Sequence, residues 1–191
     1  PAIDYLQIAA MSKIIYIANT SLDGYVEDGA GALDWANPDL VHAFITDLVR
    51  PMGTYLYGRR MYETMVYWDA AIETYPPEHR AFAQVWQQAE KIVFSRTLAG
   101  AATRNTRVER DFDPASIREL KRNSKRDINI GGAELAGLAL ESDLVDECHL
   151  FIHPVILGGG KPAFRPALRR RFELLETRRF DTGVVHAHYR L

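Results

Sequence analysis

The chain predicts an α/β fold in which a central, mostly parallel sheet carries an antiparallel C-terminal edge and helices on both faces. Three observations lead there. Strand and helix signals alternate down to Leu140, the pattern of crossover connections between parallel strands. Beyond that point only strand signals follow, and the last two, 172–180 and 184–191, are joined at Asp181-Thr182-Gly183 by a hairpin turn that makes the closing edge antiparallel. The first strand signal, 13–19, is almost wholly β-branched or aromatic, as a strand covered on both faces should be.

With 191 residues and 47% hydrophobic content, the chain can bury one substantial core and is short for two, so it reads as a single domain. Its 23 basic and 25 acidic residues are interspersed and leave a net charge of −2, which offers no field to hold nucleic acid or an anionic membrane. Cys148 is the sole cysteine, which excludes an intrachain disulfide and a multi-cysteine zinc cluster and fits a reducing, cytoplasmic setting. No apolar run approaches the roughly 18 to 20 residues that span a bilayer. Residues 1–10, PAIDYLQIAA, lack the basic start and long apolar run of a signal peptide, and read as a tag remnant or extension ahead of a domain covering 11–191.

Taken in order, the first strand leads into a turn-rich loop in which Tyr25 and Val26 lie between T-S-L-D-G and E-D-G-A-G, the composition of an ordered lid. Asn37-Pro38 starts a helix whose apolar stripe is Leu40, Val41, Phe44, Ile45 and Leu48. Residues 54–57 form a strand, and Gly58 opens a helix that turns Met61, Tyr62, Met65 and Val66 inward. Pro76-Pro77 begins another helix, with Ala81, Phe82, Val85, Trp86 and Ala89 at helical spacing. Residues 91–94 are the next strand, and Asp113-Pro114 caps a helix through Lys121. The strand 127–130 closes at Gly131-Gly132, a turn that glycine tolerates sterically, and a helix follows over 133–140. Cys148, Leu150 and Ile152 then alternate with His149, Phe151 and His153 before a second glycine cluster, Gly158-Gly159-Gly160.

Three strand ends carry glycine or polar residues: Gly58-Arg59-Arg60, Ser95-Arg96-Thr97 and Gly131-Gly132. Ligands of open α/β sheets bind beyond the carboxyl ends of the strands, and N–H groups at the head of a helix suit a pyrophosphate. The motifs I-A-N-T-S-L-D-G-Y-V, Y-G-R-R-M-Y-E, I-G-G-A-E-L, L-V-D-E and H-P-V-I-L-G-G-G-K-P-A-F occur in this order. Together they resemble the C-terminal reductase domain of the bifunctional riboflavin-biosynthesis deaminase-reductase, within the dihydrofolate reductase-like superfamily. The resemblance runs from Lys13 to the C-terminus and implies a dihydrofolate reductase-like fold with NADPH as cofactor. The reaction it implies is hydride transfer from nicotinamide to a small heterocycle, such as a pterin, a pyrimidine or a riboflavin precursor.

The same resemblance places Ala18, Asn19 and Val26 near the nicotinamide ring. It sets Gly58, Arg59, Arg60, Ser95 and Arg96 around the phosphate that distinguishes NADPH, and Gly131, Gly132, Ala133, Glu134 and Leu135 at the pyrophosphate. The W-x-N-P-D-L segment resembles the place where a helix carboxylate holds the substrate, which makes Asp39 the candidate acid; an acid in a first helical turn is also favoured by the helix dipole alone. The family usually carries threonine where Met61 stands, so one hydroxyl is missing there. Related reductase domains pair, and an antiparallel edge with strands at 147–155 and 184–191 would otherwise stay exposed, so a homodimer is expected.

Six histidines offer a metal alternative, and His186 and His188 share one face of a strand, but no third ligand stands at local spacing and no metal is assigned. A Gly-x-Ser-x-Gly elbow, a Walker loop and the deaminase signature are all missing from the sequence, so the chain is expected not to be the bifunctional enzyme. Glu134 acts near the cofactor or favours its helix start, and Lys161 meets an anionic substrate or follows a sharp crossover. Two functions remain: an NADPH-dependent reductase, and a dinucleotide- or small-ligand-binding protein that keeps the fold without turnover.

Overall fold

The computed structural model describes residues 12–36 and 39–191. In chain order its elements are β1 (Ile14–Thr20), β2 (Tyr25–Glu27), α1 (Asp39–Val49), β3 (Thr54–Gly58), α2 (Arg59–Met65), α3 (Pro77–Gln88), β4 (Glu90–Phe94) and β5 (Thr106–Glu109). They continue with α4 (Pro114–Asn123), β6 (Ile128–Gly131), α5 (Ala133–Glu141), β7 (Glu147–Ile152), β8 (Lys161–Pro162), β9 (Glu173–Arg179) and β10 (Val185–Arg190). The main sheet has the order β5-β4-β3-β6-β1-β7-β10-β9. From β5 to β7 every neighbouring pair is parallel, and β10 and β9 close the sheet antiparallel.

Alternation along the buried strands assigns the helices to two layers. Ile14, Tyr16 and Ala18 of β1, with Leu56, Ile92, Ile128 and Ile130, pack against Ile117 of α4 and Leu135, Ala136, Ala139 and Leu140 of α5. Ile15 and Ile17 turn the other way, toward Ile45 and Leu48 of α1, Tyr62 and Met65 of α2, and Phe82 and Trp86 of α3. Both faces of β1 are therefore dry, which is why its sequence shows no polar alternation. Among the described residues no helix is long and apolar enough to cross a membrane.

Several expectations need correction. The proposed start of α1 at Asn37-Pro38 lies outside the described residues. Strand β5 was not foreseen, because Thr106-Arg107-Val108-Glu109 is short, carries charge, and is a strand only through its pairing with β4. Strands β7 and β10 are not edges: each is paired on both sides, and the antiparallel edge is β9, whose seven residues are all exposed. The lid is more than a loop, since β2 pairs with β8 in a separate two-stranded ribbon. Leu22 N donates to the Val155 carbonyl at 2.8 Å, and the Asp23 carboxylate accepts from Leu157 N and Gly158 N at 3.1 and 2.8 Å. Gly160, at φ 132°, lies so close to this loop that a Cβ would overlap the Glu27 carbonyl oxygen. Lys161 is bound to Glu27 at 2.7 Å, so its ammonium serves the ribbon.

Candidate active site

The chain leaves β3 toward β4 and leaves β6 toward β7, in opposite directions along the sheet. The crossovers part between these two neighbours, which opens a crevice beyond their carboxyl ends at a topological switch point. Register aligns Gly58 with Phe94 and Tyr57 with Gly131. The three turns singled out in the sequence, Gly58-Arg59, Ser95-Arg96 and Gly131-Gly132, thus stand side by side.

At the Gly131-Gly132 turn the backbone is bare because its neighbours leave no room for side chains. A Cβ on Gly131 would stand 2.7 Å from Tyr57 Cε1, and one on Gly132, at φ 90°, would stand 3.2 Å from Met61 Cβ. Gly132 caps α5 without a side-chain hydrogen bond, so the leading N–H groups of that helix are open to an anion and carry the positive end of its dipole. This cradle fits a pyrophosphate. Met61 packs over the turn from α2 and gives that wall a thioether in place of a hydroxyl. Ala133 and Leu135 are buried and anchor α5 to the sheet. Glu134 points outward, 71% exposed and 3.8 Å from the Arg165 guanidinium, at the helix start where its charge complements the dipole.

At the neighbouring turns the polar side chains are linked. Arg59 donates to Glu63 at 2.7 Å and to Thr97 Oγ1 at 2.9 Å, while Ser95 Oγ accepts from Thr97 N at 3.2 Å and Leu98 N at 3.0 Å. Thr97, quoted in the sequence but given no role, is the residue that joins the two strand ends. Arg96 turns to Asp111, with Nε 2.6 Å from Oδ1, and Arg60 lies exposed beside Arg59.

Toward β1 the expected nicotinamide neighbours separate. Ala18 and Val26 join the core on the α4–α5 face. Asn19, the next residue of the strand, projects to the opposite face, where its amide oxygen accepts from His153 Nε2 at 2.9 Å. His153 is buried, with the Trp35 ring edge-on at 5.5 Å, and burial lowers its pKa, so the imidazole is neutral at pH 7. Sequence reading gave neither His153 nor Trp35 a place in the site, although both lie within the quoted motifs. Asp39 is the first residue of α1, and its side chain lies outside the described residues.

The sequence profile of the RibD C-terminal domain matches residues 12–186. The chain belongs to the RibD C-terminal domain family. YyaP of Bacillus subtilis, itself uncharacterised, is 33% identical over 179 residues, covering 93% of this chain and 94% of its own length. Among solved structures, a putative riboflavin biosynthesis protein from Shewanella sp. PV-4 superposes with a TM-score of 0.74 at 22% identity, covering 93% of this chain and 98% of that one. A pyrimidine reductase-like protein from Corynebacterium diphtheriae gives 0.65 at 16% identity, covering 94% and 91%. At these identities the likeness establishes the fold of this RibD C-terminal domain.

Proposed function

We propose that the protein is an NADPH-dependent reductase of a small heterocycle, with a pyrimidine as the first choice of substrate. The observation that carries the reading is the bare Gly131-Gly132 backbone at the head of α5, set in the crevice between β3 and β6. Family membership adds the reductase class, and the description of the Corynebacterium protein as pyrimidine reductase-like adds the pyrimidine. When bound, the nicotinamide supplies the hydride. The chain's own residues bind and orient: the α5 N–H groups take the pyrophosphate, and Arg59, Arg60, Ser95, Arg96 and Thr97 receive the ribose phosphate. The Asn19–His153 pair fixes polar groups at the β1–β7 end of the crevice. Asp39 holds the substrate or donates its proton. The protein acts as a homodimer in the cytoplasm.

Incubation with NADPH and a panel of pyrimidines and pterins, followed by loss of the reduced-nicotinamide absorbance, tests the reading. Oxidation by one panel member is expected, and Asp39→Asn should lower kcat about 10²- to 10⁴-fold with NADPH affinity retained. Tight NADPH binding with no oxidation across the panel would establish the binding-protein reading instead.

A further inference from the structure

Strands β7 and β10 set Glu147, His149, His186 and His188 on one face of their ladder, with His188 directly opposite His149 and His186 opposite Phe151. The imidazoles form a column: His149 and His188 stack at 3.9 Å between centroids, and His149 and His186 at 5.1 Å. His149 Nδ1 and His186 Nε2 are 2.9 Å apart, His188 Nε2 is 3.1 Å from one oxygen of Glu147, and Lys13 holds the other oxygen at 2.6 Å. One ligand atom from each of Glu147, His149 and His188 lies within 4.8 Å of the others. His186 is 1% exposed, yet its Nδ1 has no hydrogen-bond partner. A sheet interior here would be filled more favourably by apolar side chains, since a buried imidazole nitrogen without a partner is costly.

We propose that Glu147, His149 and His188 bind a divalent transition-metal ion of the zinc class, with His186 positioning the ring of His149. Two imidazoles and a carboxylate suit Zn²⁺, Co²⁺ or Ni²⁺ and select against Mg²⁺ and Ca²⁺, which prefer all-oxygen sets. Three protein ligands leave a fourth position for water. The His149–His186 contact is the outer partner that fixes a metal-binding ring, and Lys13 plays the same part for Glu147. Ligands about 2.0–2.1 Å from a tetrahedral ion stand roughly 3.4 Å apart; His188 and Glu147 already meet at 3.1 Å, and the widest pair closes by at most about 1.4 Å from the 4.8 Å limit, a movement the partly exposed His188 can supply. His149 precedes His153 by four residues, roughly 13 Å along a strand. The ion is therefore remote from the crevice and clips β7 to β10.

The test begins with protein stripped by a chelator and titrated with Zn²⁺ by calorimetry. One Zn²⁺ per chain is expected, with Tm raised by about 5–10 °C at a hundredfold excess over Kd and no response to Mg²⁺. Co²⁺ should give the visible bands of a four-coordinate site. His188→Gln, a partly exposed position where the fold should survive, is expected to weaken Zn²⁺ more than about a hundredfold, since even outer partners of such ligands change affinity about 10- to 100-fold. Independently of any variant, X-ray absorption of the zinc-loaded wild type should report two imidazoles and a carboxylate. Absence of binding, an equal response to Mg²⁺, stoichiometric Zn²⁺ retained by a folded His188→Gln, or an all-oxygen shell would each overturn the proposal.

Discussion

Lys91 is completely buried at the start of β4, where its ammonium donates to the Trp86 carbonyl at 3.0 Å and stands 4.3 Å from the indole centroid. Burial lowers its pKa to about 8, against a weaker attraction from Asp69. With the folded value depressed below the ordinary 10.5, the unfolded chain binds more proton across the window from 8 to 10.5, so this residue makes stability rise with pH there. Lys91→Met keeps the chain length and removes the buried charge. It should stabilise the fold at pH 7 by on the order of 1–3 kcal/mol and flatten that alkaline rise, as read from denaturant midpoints at the two ends of the window. Arg59 is tied at once to α2 through Glu63 and to the β4 end through Thr97, which holds its guanidinium over the joined turns. Charge-assisted bonds contribute about 1.5–3 kcal/mol each, so Arg59→Ala should weaken NADPH about ten- to a hundredfold and leave NADH nearly unchanged. Arg96→Ala should act in the same direction, since each guanidinium is shared with a carboxylate, Glu63 for Arg59 and Asp111 for Arg96. Equal weakening of both cofactors in a binding titration would remove the phosphate role from both arginines.

At the scale of elements, the β2–β8 ribbon is held by a close backbone approach at Gly160 as well as by the packing of Val26 on the core. Gly160→Ala drives a methyl group into the Glu27 carbonyl at a positive φ, a combination that costs about 1–3 kcal/mol in backbone strain before any contact is lost. The ribbon should open locally: amides of Tyr25–Glu27 lose hydrogen-exchange protection while those of α5 keep theirs. Unchanged protection in the ribbon would show that the glycine is dispensable. The contrast with the helices is instructive. Helix α4 was legible because Asp113 caps it, accepting from Ala115 N and Ser116 N at 3.3 and 3.0 Å, and because Ile117 and Leu120 recur at helical spacing. The ribbon was not, because Lys161-Pro162 and Tyr25–Glu27 become strands only by meeting each other.

For the molecule as a whole, the one free sheet edge at this end is β9, where Leu174 and Leu175 are 53% and 41% exposed. An unpaired edge carrying apolar side chains invites a second strand. Two-fold antiparallel pairing of E-L-L-E-T-R-R would set its acidic start against the basic end of its partner. Light scattering at micromolar concentration should return a dimer mass, and Leu174→Lys with Leu175→Lys should shift it toward the monomer. A monomer mass for the unaltered chain would refute the assembly.

The sequence by itself determined the parallel α/β sheet, the helices on both faces and the three glycine or polar turns, because each depends on short-range properties: side-chain periodicity, a capping carboxylate, the conformational freedom of Gly132. It determined that these turns belong to carboxyl ends of strands, and hence that they converge. Tertiary structure alone decided which strand is the edge, that Thr97 joins Arg59 to Ser95, and that Asn19 meets His153 across 134 residues of chain. It also brought together Glu147, His149 and His188, of which local spacing had offered only His188, with His186 as its pair: the register of β7 on β10 sets His188 opposite His149. Register between distant strands is set by the packing of the whole core, and no window of neighbouring residues encodes it.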